Sequence, residues 1–280
     1  MGIVIGIDVG GSTTKIVGID GKEIKNPMFV RATDPVTSLF GAFGKYLYDN
    51  DIPLSAIEKV MLTGVGSASI NQPLYGLPTA KTDEFLANGL GAQYMTQLDK
   101  LIVVSMGTGT SFVKVDGTKI EHIGGIGIGG GTVLGLSRLL LKTQDFHQVV
   151  ALALKGDITT INLQIKDICN IPLPGLPLDA TASTFGKADA NTSHEDVALG
   201  IIYMVLQCIG QSVILAALNS DIRDFVLIGN LTKLPQCKDI FPRLEDMYGG
   251  RFHIPDYAEY RTAIGAALTY INKRNYLPIV

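Results

Sequence analysis

The chain has 280 residues, of which 46% are hydrophobic and 18% are charged. This composition can bury a sizeable core, and the length allows two lobes. The formal charge of −3 comes from 23 basic and 26 acidic residues scattered along the sequence, so no polybasic face favours nucleic acid or an anionic membrane as a partner. Three widely spaced cysteines, Cys169, Cys208 and Cys237, lack the short spacing of a preset metal or iron–sulfur site.

The sequence also favours a cytoplasmic location. The apolar run that starts at Ile3 has no positively charged residues before it and is interrupted by Asp8, unlike a signal peptide. The most apolar stretch, at 199–217, contains glutamines and a glycine, so it lacks the roughly 18 uninterrupted apolar residues that indicate a membrane span. We therefore expect no membrane association.

The amino-terminal residues predict a strand, a glycine turn and a second strand. Residues 3–8 are apolar and β-branched, Gly10 and Gly11 supply the turn, and residues 13–19 are again β-prone. Apolar periodicity then predicts a helix at 38–48, a short buried strand at 60–64 and a second helix at 82–94.

The same pattern restarts roughly 100 residues later, which is the internal repeat of the chain. Residues 100–106 predict a strand, residues 107–110 a turn of glycine and threonine, and residues 111–115 a second strand. The duplication indicates two α/β lobes, which we expect to span 1–97 and 98–280. Each lobe should bring its turn to a common cleft.

A dense run of glycine at 124–131 leads into a predicted helix at 132–141. Glycines let a nucleotide approach the backbone, and a helix amino terminus offers unpaired N–H groups and the positive end of a dipole. The rest of the chain predicts helical segments at 145–155, 195–218 and 262–272. It also predicts a strand at 224–228 and an extended proline-rich loop at 172–177.

Two turns and one acid could carry chemistry. Backbone N–H groups and hydroxyls of a glycine turn can bind phosphate oxygens, and the strand-end carboxylate of Asp8 can hold Mg²⁺ through water. Glu84 stands between the two turns in sequence and is followed by the apolar Phe85. A carboxylate in a partly dry pocket can accept the proton of an alcohol during phosphoryl transfer. Structural hairpin turns and a solvated helix glutamate remain open as alternatives.

In their order along the chain, these motifs resemble the acetate-and-sugar-kinase, Hsp70 and actin superfamily, and within it the type II pantothenate kinases. The resemblance covers nearly the whole chain and is carried by Asp8–Lys15, Glu84, Gly107–Ser111, Gly124–Leu134, Ala182–Gly186 and Ile228–Asn230. It implies an α/β, two-lobed, actin-like ATPase fold made of duplicated ribonuclease-H-like domains with an interlobe cleft. The implied activity is ATP- and magnesium-dependent phosphorylation of the primary hydroxyl of pantothenate, the first step of coenzyme A biosynthesis, in a homodimer.

The resemblance also implies roles for individual residues. Glu84 is the implied catalytic base, and Asp8 is the implied carboxylate near magnesium. The substrate is expected to contact Ser105, Thr110 and His122. The residues implied to bind ATP and its phosphates are Asp8, Gly10, Gly11, Ser12, Thr13, Thr14, Lys15, Thr108, Gly109, Gly130, Gly131, Thr132, Val133, Leu134, Phe146 and Asn230.

One departure from the family concerns His122. The family has an arginine just before the glycine-rich loop, where it contacts the substrate, whereas this chain has a histidine there. An arginine binds a carboxylate through two parallel hydrogen bonds, while a histidine offers one donor and is only partly charged near neutral pH. His122 therefore still accepts pantothenate, or marks a shift to an uncharged relative such as pantetheine, or lies at the surface outside the pocket.

Three other functions stay open from the sequence. Another small-molecule kinase, such as an N-acetylhexosamine kinase, shares the opening motif, although a sugar kinase usually uses an aspartate as base. The ATPase activator of a radical dehydratase opens with a similar loop but holds a [4Fe–4S] cluster through cysteines near its second-lobe glycine loops, where this chain has none. A non-catalytic nucleotide-binding protein would keep the fold without the chemistry.

Overall fold

The structure is a computed structural model that describes residues 2–11, 13–21, 23–31, 34–171 and 174–276. Within these ranges the chain forms twelve strands and eight α-helices. The first half contains β1 (Ile3–Val9), β2 (Thr13–Asp20), β3 (Glu23–Arg31), α1 (Pro35–Asp49), β4 (Ile57–Thr63), β5 (Thr79–Lys81) and α2 (Glu84–Thr96). The second half contains β6 (Lys100–Met106), β7 (Thr110–Asp116), β8 (Lys119–Ile126), α3 (Gly130–Leu140), α4 (Phe146–Ala153), α5 (Ile158–Ile161), β9 (Leu163–Gln164), β10 (Thr181–Ser183), α6 (His194–Ala217), β11 (Asp224–Ile228), α7 (Cys237–Tyr248), β12 (Arg251–His253) and α8 (Arg261–Tyr276).

Both halves build a five-stranded sheet of the same topology. The first sheet has the order β3-β2-β1-β4-β5, and the second has the order β12-β11-β6-β7-β8. In each sheet the first strand is central, pairs antiparallel with the next strand along the chain, and pairs on its other side with a parallel strand that follows later. The predicted duplication of an α/β lobe is therefore confirmed.

The outer face of each sheet is covered by its own helices. In the first sheet, Ile5, Ile7 and Val9 alternate along β1 and pack with Leu39 and Phe43 of α1, as expected for a strand with a side-chain period of two. The second sheet is covered on this side by α3, α4, α6 and α7. Helix α6 has the length and apolar composition of a membrane span, but more than half of that stretch is buried in this core.

The inner faces of the two sheets share one layer formed by α2 and α8. Helix α8, from the end of the chain, packs on the first sheet, where Ala263 and Ala267 contact Val4 and Val17. Helix α2, from the first half, packs on the second sheet. Each half therefore contributes a helix that covers the sheet of the other half.

Helices α2 and α8 run in the same direction and touch through glycine. A Cβ added to Gly91 of α2 would collide with the carbonyl of Arg261, and one added to Gly265 of α8 would collide with the backbone of α2. One turn earlier, the Thr262 hydroxyl donates to Asn88 Oδ1 over 2.7 Å. Because each helix begins at the carboxyl edge of a sheet, the turns that follow β1 and β6 lie at the same end of the molecule.

Candidate active site

The first glycine turn joins β1 to β2. The N–H of Gly10 donates to the carbonyl of Thr13 over 2.9 Å, and a Cβ on Gly10 would lie 2.9 Å from that same oxygen. Gly11 is exposed, and no atom lies within 4 Å of the position that a Cβ would take there. Ser12 lies outside the described residues. The turn thus leaves its backbone open to a ligand on the side of Gly11.

Asp8 and Lys15 pair across β1 and β2 at the base of this turn. The Lys15 ammonium lies 3.7 Å from Asp8 Oδ2, and both side chains are nearly buried. Burial raises the pKa of the Asp8 carboxyl, and Lys15 opposes that rise. Gly64, at φ +86°, packs tightly against the Asp8 carboxylate, since a Cβ there would lie 2.6 Å from Asp8 Oδ1. The Asp8 carboxylate supplies oxygen atoms of the kind that a divalent cation prefers as ligands.

The second glycine turn is built together with the start of α3. The N–H groups of Gly130 and Gly131 donate to the carbonyls of Gly107 and Thr108 over 2.8 and 2.9 Å. A Cβ on Gly129 would lie 2.6 Å from the carbonyl of Thr108. The glycine run therefore allows the helix to pack on the turn, and its first two N–H groups are used by the protein itself.

The next residues of α3 also have structural partners. The Thr132 hydroxyl accepts a hydrogen bond from the N–H of Gly129 over 3.2 Å and lies 3.3 Å from the carbonyl oxygen of Gly127. Val133 is completely buried in the core of the second lobe, whereas Leu134 is half-buried. Any nucleotide contact of Thr132 and Val133 would have to come from the backbone or from a rearranged helix start.

The strand register assigns the hydroxyl residues to two different faces. Ser105 pairs with Ser111 in the second sheet as Asp8 pairs with Lys15 in the first, so the two serines occupy the matching inner-face positions. Thr14 and Thr110 occupy the next register position, on the outer face. The Thr110 hydroxyl donates to the carbonyl of Ile128 over 2.8 Å, and that of Thr14 is buried without a hydrogen-bond partner among the described residues.

This alternation gives the side-chain direction of two residues that the sequence predicts at the site. The side chain of Thr14 points away from the cleft, and so does that of Thr110, because neighbours along a strand face opposite sides of a sheet. Ser111, the last residue of the second turn motif, lies directly opposite Ser105 in a hairpin with a three-residue turn, so its side chain is on the inner face.

Glu84 is the first residue of α2, next to the helix N-cap. Asp83 provides this cap, since its Oδ1 accepts a hydrogen bond from the N–H of Leu86 over 2.8 Å. Glu84 is half-buried, and burial raises its pKa to about 7, with a further rise from Asp8 and a smaller opposing effect from Lys15. These charges place Glu84 beside the first turn. A carboxyl that titrates near neutral pH is suited to accept a proton in a catalytic step.

The second lobe approaches this carboxyl through His122. The exposed His122 of β8 pairs with Val113 of β7 and therefore lies on the inner face of the second sheet. Its ring stacks on that of Phe85, with centroids 3.9 Å apart and planes inclined by 10°. The structure thus places Glu84 near Asp8 and Lys15, and it places His122 of the second lobe against Phe85, the residue after Glu84.

The other expected nucleotide-binding residues belong to the second lobe. Asn230 follows Gly229, whose φ of +95° and tight contact with the backbone of Met106 place Asn230 beside the end of β6. Thr108 is exposed and Gly109 half-buried at the tip of the second turn. Phe146 starts α4 and packs against the outer core of the lobe, so its ring is only partly accessible.

The described part of the chain contains no cluster of metal-binding side chains. No group of three or more histidine, cysteine, aspartate or glutamate residues there could hold a metal ion. Burial raises the pKa of the Cys208 and Cys237 thiols, as in unreactive structural cysteines. A surface cavity lined in part by Gln97 and Asn272 lies at the opposite ends of α2 and α8, away from both turns.

Comparisons with known proteins agree in both sequence and fold. The Fumble family model matches residues 93–238, about half of the chain. The type II pantothenate kinase of Staphylococcus aureus (strain USA300) is 30% identical over 236 residues, which cover 81% of this chain and 84% of that protein. The type II pantothenate kinase of Staphylococcus epidermidis (strain RP62A) is 33% identical over 188 residues, which cover 65% of this chain and 66% of that protein, just under two thirds of its length.

Solved structures share the fold at lower sequence identity. The activator of the 2-hydroxyisocaproyl-CoA dehydratase from Clostridium difficile with bound ADPNP has a TM-score of 0.70 at 15% identity, over 99% of both chains. A ROK family glucokinase from Streptomyces griseus in complex with glucose and AMPPNP has a TM-score of 0.59 at 13% identity, over 96% of this chain and 99% of that one. The fold is therefore the two-lobed actin-like ATPase fold.

Proposed function

Since the chain belongs to the type II pantothenate kinase family, we propose that it transfers the terminal phosphoryl group of ATP to the primary hydroxyl of pantothenate, the first step of coenzyme A biosynthesis. The observation that carries this proposal is the position of Glu84. Its carboxyl is half-buried beside Asp8 and Lys15, and its pKa is raised to about 7. A family resemblance alone would not require a carboxyl with this property.

ATP is held between the two glycine turns. The open backbone at Gly11 and the exposed tip at Thr108 offer N–H donors from the two lobes. Lys15 supplies a positive charge at the base of the first turn. Two proteins of the same fold bind ADPNP or AMPPNP, which supports a nucleoside triphosphate as the ligand of this cleft.

Magnesium fits the carboxylate of Asp8. When bound, Mg²⁺ would supply positive charge that stabilises the phosphate oxygens during transfer. Asp8 would hold the ion through water, and Lys15 opposes the rise in the pKa of Asp8 that burial causes, because an adjacent ammonium favours the charged form.

Glu84 accepts the proton of the pantothenate hydroxyl as the oxygen attacks phosphorus. The bond from this oxygen to phosphorus forms while the bond from phosphorus to the leaving oxygen of ADP breaks, and the hydroxyl proton passes to the Glu84 carboxylate. A base with a pKa near 7 is partly ionised at neutral pH and still binds the proton well. The glutamate also favours this family over the sugar kinases, whose usual base is an aspartate.

The test of the base is a comparison of Glu84→Gln with the parent protein in a coupled assay of ADP release. We expect kcat to fall by a factor on the order of 100 or more, while ATP binding measured by calorimetry stays within about twofold of the parent. Glu23→Gln, which removes a carboxylate from an exposed ion pair with Lys25, is the matched control and should keep full activity. Full activity of Glu84→Gln would remove the assignment.

The acceptor is tested through His122. Pantothenate carries a carboxylate and pantetheine does not, so the ratio of turnover on the two alcohols reports whether the protein recognises the charge. If the histidine marks a shift to an uncharged acceptor, His122→Arg moves this ratio toward pantothenate, because arginine binds carboxylates with two hydrogen bonds. An unchanged ratio would discard the shift and leave pantothenate as the acceptor.

We also propose a cytoplasmic homodimer. Leu215 and Leu218, at the end of α6, are both well over half exposed, which is unusual for large apolar side chains on a helix that is otherwise a core element. Light scattering after size exclusion should give twice the chain mass of 29.9 kDa, and Leu215→Asp should shift it toward the monomer. A monomeric parent protein would refute the dimer.

A further inference from the structure

The contact between Phe85 and His122 joins the two lobes at the catalytic carboxyl. Phe85 is the residue after Glu84 in the first turn of α2, and His122 lies on β8 of the second sheet. Their rings are nearly parallel, with centroids 3.9 Å apart. Stacked aromatic rings contribute attraction beyond the area they bury.

A second contact between α2 and β8 lies one helical turn further along α2. A Cβ on Gly89 would lie 2.6 Å from Cγ2 of Ile120, so β8 and α2 approach as closely as the Ile120 side chain allows. Ile120 and His122 are two positions apart on the strand, and Phe85 and Gly89 are four apart on the helix. Both pairs therefore lie on the faces that the two elements turn toward each other.

The pairing of β8 explains why His122 faces the helix. Val113 pairs with His122 and Phe112 pairs with Gly124, which leaves Ile123 as an extra residue in β8. Such a bulge lets His122 lie on the inner face although the glycine segment follows immediately. Within the described residues, the His122 side chain forms no hydrogen bond, and the stack on Phe85 is its aromatic contact.

From this geometry we propose that Phe85 and His122 are positioning residues, whose stack holds the first turn of α2 against the second lobe and keeps the Glu84 carboxylate in the cleft. His122 acts through the face of its ring, in contrast to the substrate contact through its nitrogens that the sequence suggests. The proposal deepens the proposed function and rests on it for the kinetic part of the test. Because one ring comes from each lobe, the stack also links the orientation of the base to the closure of the cleft.

Two substitutions separate the face of the ring from its nitrogens. His122→Phe keeps a stacking ring without ring nitrogens, and His122→Ala removes the ring. Both replacements are uncharged, so they are matched electrostatically, and both are made at an exposed position. We expect His122→Ala to lower kcat by about 3- to 10-fold, His122→Phe to restore it to within about twofold, and KM for pantothenate to change little in either. An equal rise in KM in both variants would overturn the proposal in favour of a substrate contact.

A titration of Glu84 tests the positioning without any turnover. Carboxyl resonances of ¹³C-labelled glutamate, assigned with Glu84→Gln, report its pKa in the parent protein and in the two His122 variants. The other charged groups around Glu84, which are Asp8, Lys15 and Asp83, are the same in all three proteins. We expect the pKa of Glu84 to stay raised in His122→Phe and to fall toward its ordinary value in His122→Ala. The same pKa in both variants would refute the positioning role even if the protein acts on another alcohol.

Discussion

The raised pKa of Glu84 predicts that the residue destabilises the folded protein at neutral pH. A carboxyl that is harder to ionise in the folded state than in the unfolded chain opposes folding wherever the unfolded chain is ionised. Replacing it with glutamine, which has the same shape and no charge, should therefore stabilise the protein while it removes catalysis. Such a trade between stability and activity is typical of active-site residues.

The size of the effect follows from the pKa. Burial, and to a lesser extent Asp8, raises the pKa of Glu84 from 4.5 to about 7, and one pKa unit corresponds to about 1.4 kcal/mol. Below pH 4.5 both states are protonated and the residue costs nothing. The cost grows between pH 4.5 and 7 as only the unfolded chain ionises, and it is constant above pH 7. Because Glu84 is partly solvated, we expect a total of about 2–3 kcal/mol.

Urea denaturation at pH 4.5 and pH 8 measures this cost directly. The free energy of unfolding of Glu84→Gln should exceed that of the parent by less than about 0.5 kcal/mol at pH 4.5 and by about 2–3 kcal/mol at pH 8. Glu23→Gln is the control, because an exposed ion pair contributes at most about 1 kcal/mol and should not add this pH dependence. The reasoning is refuted if the stability difference between Glu84→Gln and the parent is the same at both pH values.

Three further predictions concern activity and packing. The value of kcat/KM should rise with pH through about 7, the pKa that burial gives the same carboxyl; a midpoint near 4.5 in the pH–rate profile would contradict a buried base. Tyr46→Phe should cost about 1–3 kcal/mol in urea denaturation, because the buried hydroxyl accepts from the N–H of Gly18 over 2.7 Å, whereas Tyr48→Phe, at a residue that is 84% exposed, should change little. Gly91→Ala should lower the unfolding free energy by about 1–3 kcal/mol or more, since its Cβ would meet the carbonyl of α8, and Gly135→Ala, where no atom lies within 4 Å, should be neutral or stabilising.

The sequence predicts the two central hairpins because their strands are buried on both faces. Apolar and β-branched residues predominate in Ile3–Val9 and Lys100–Met106, and glycine marks both turns. The edge strands β3 and β8 are missed because only one face of each is covered. β3 carries charged residues and Pro27, and β8 runs into the glycine segment. Their pairing depends on neighbours that local patterns do not reveal.

The glycine run at 124–131 has a structural role that the local sequence pattern does not distinguish from nucleotide binding. The sequence predicts one nucleotide-binding loop there, whereas the structure ends β8 at Ile126 and starts α3 at Gly130. Gly125 is needed because a Cβ there would lie 2.6 Å from the carbonyl of Thr110, and Gly129 because a Cβ would meet the second turn. Close approach of backbones produces the same residue preference as close approach of a nucleotide.

The candidate site is predictable in its composition and less so in its arrangement. The order of motifs identifies Glu84 and Asp8, but the raised pKa of Glu84 depends on how deeply α2 sits between the sheets, which no local pattern indicates. The face of the sheet on which each hydroxyl side chain lies depends on the strand register. That register is defined only once the turn length is known. The register is what shows that the side chains of Thr14 and Thr110 lie on the outer face and that of Ser111 on the inner face.

The crossing of α2 and α8 limits the motions available to the enzyme. At Gly91 and Gly265 the two backbones touch with no side chain between them, so sliding one helix along the other would bring a backbone against the next side chain. Rotation about the touching point needs no such clash. We therefore expect the two halves to move by rotation about this contact. A larger residue at this contact should change the angle between the two halves, and with it the width of the cleft between the two glycine turns.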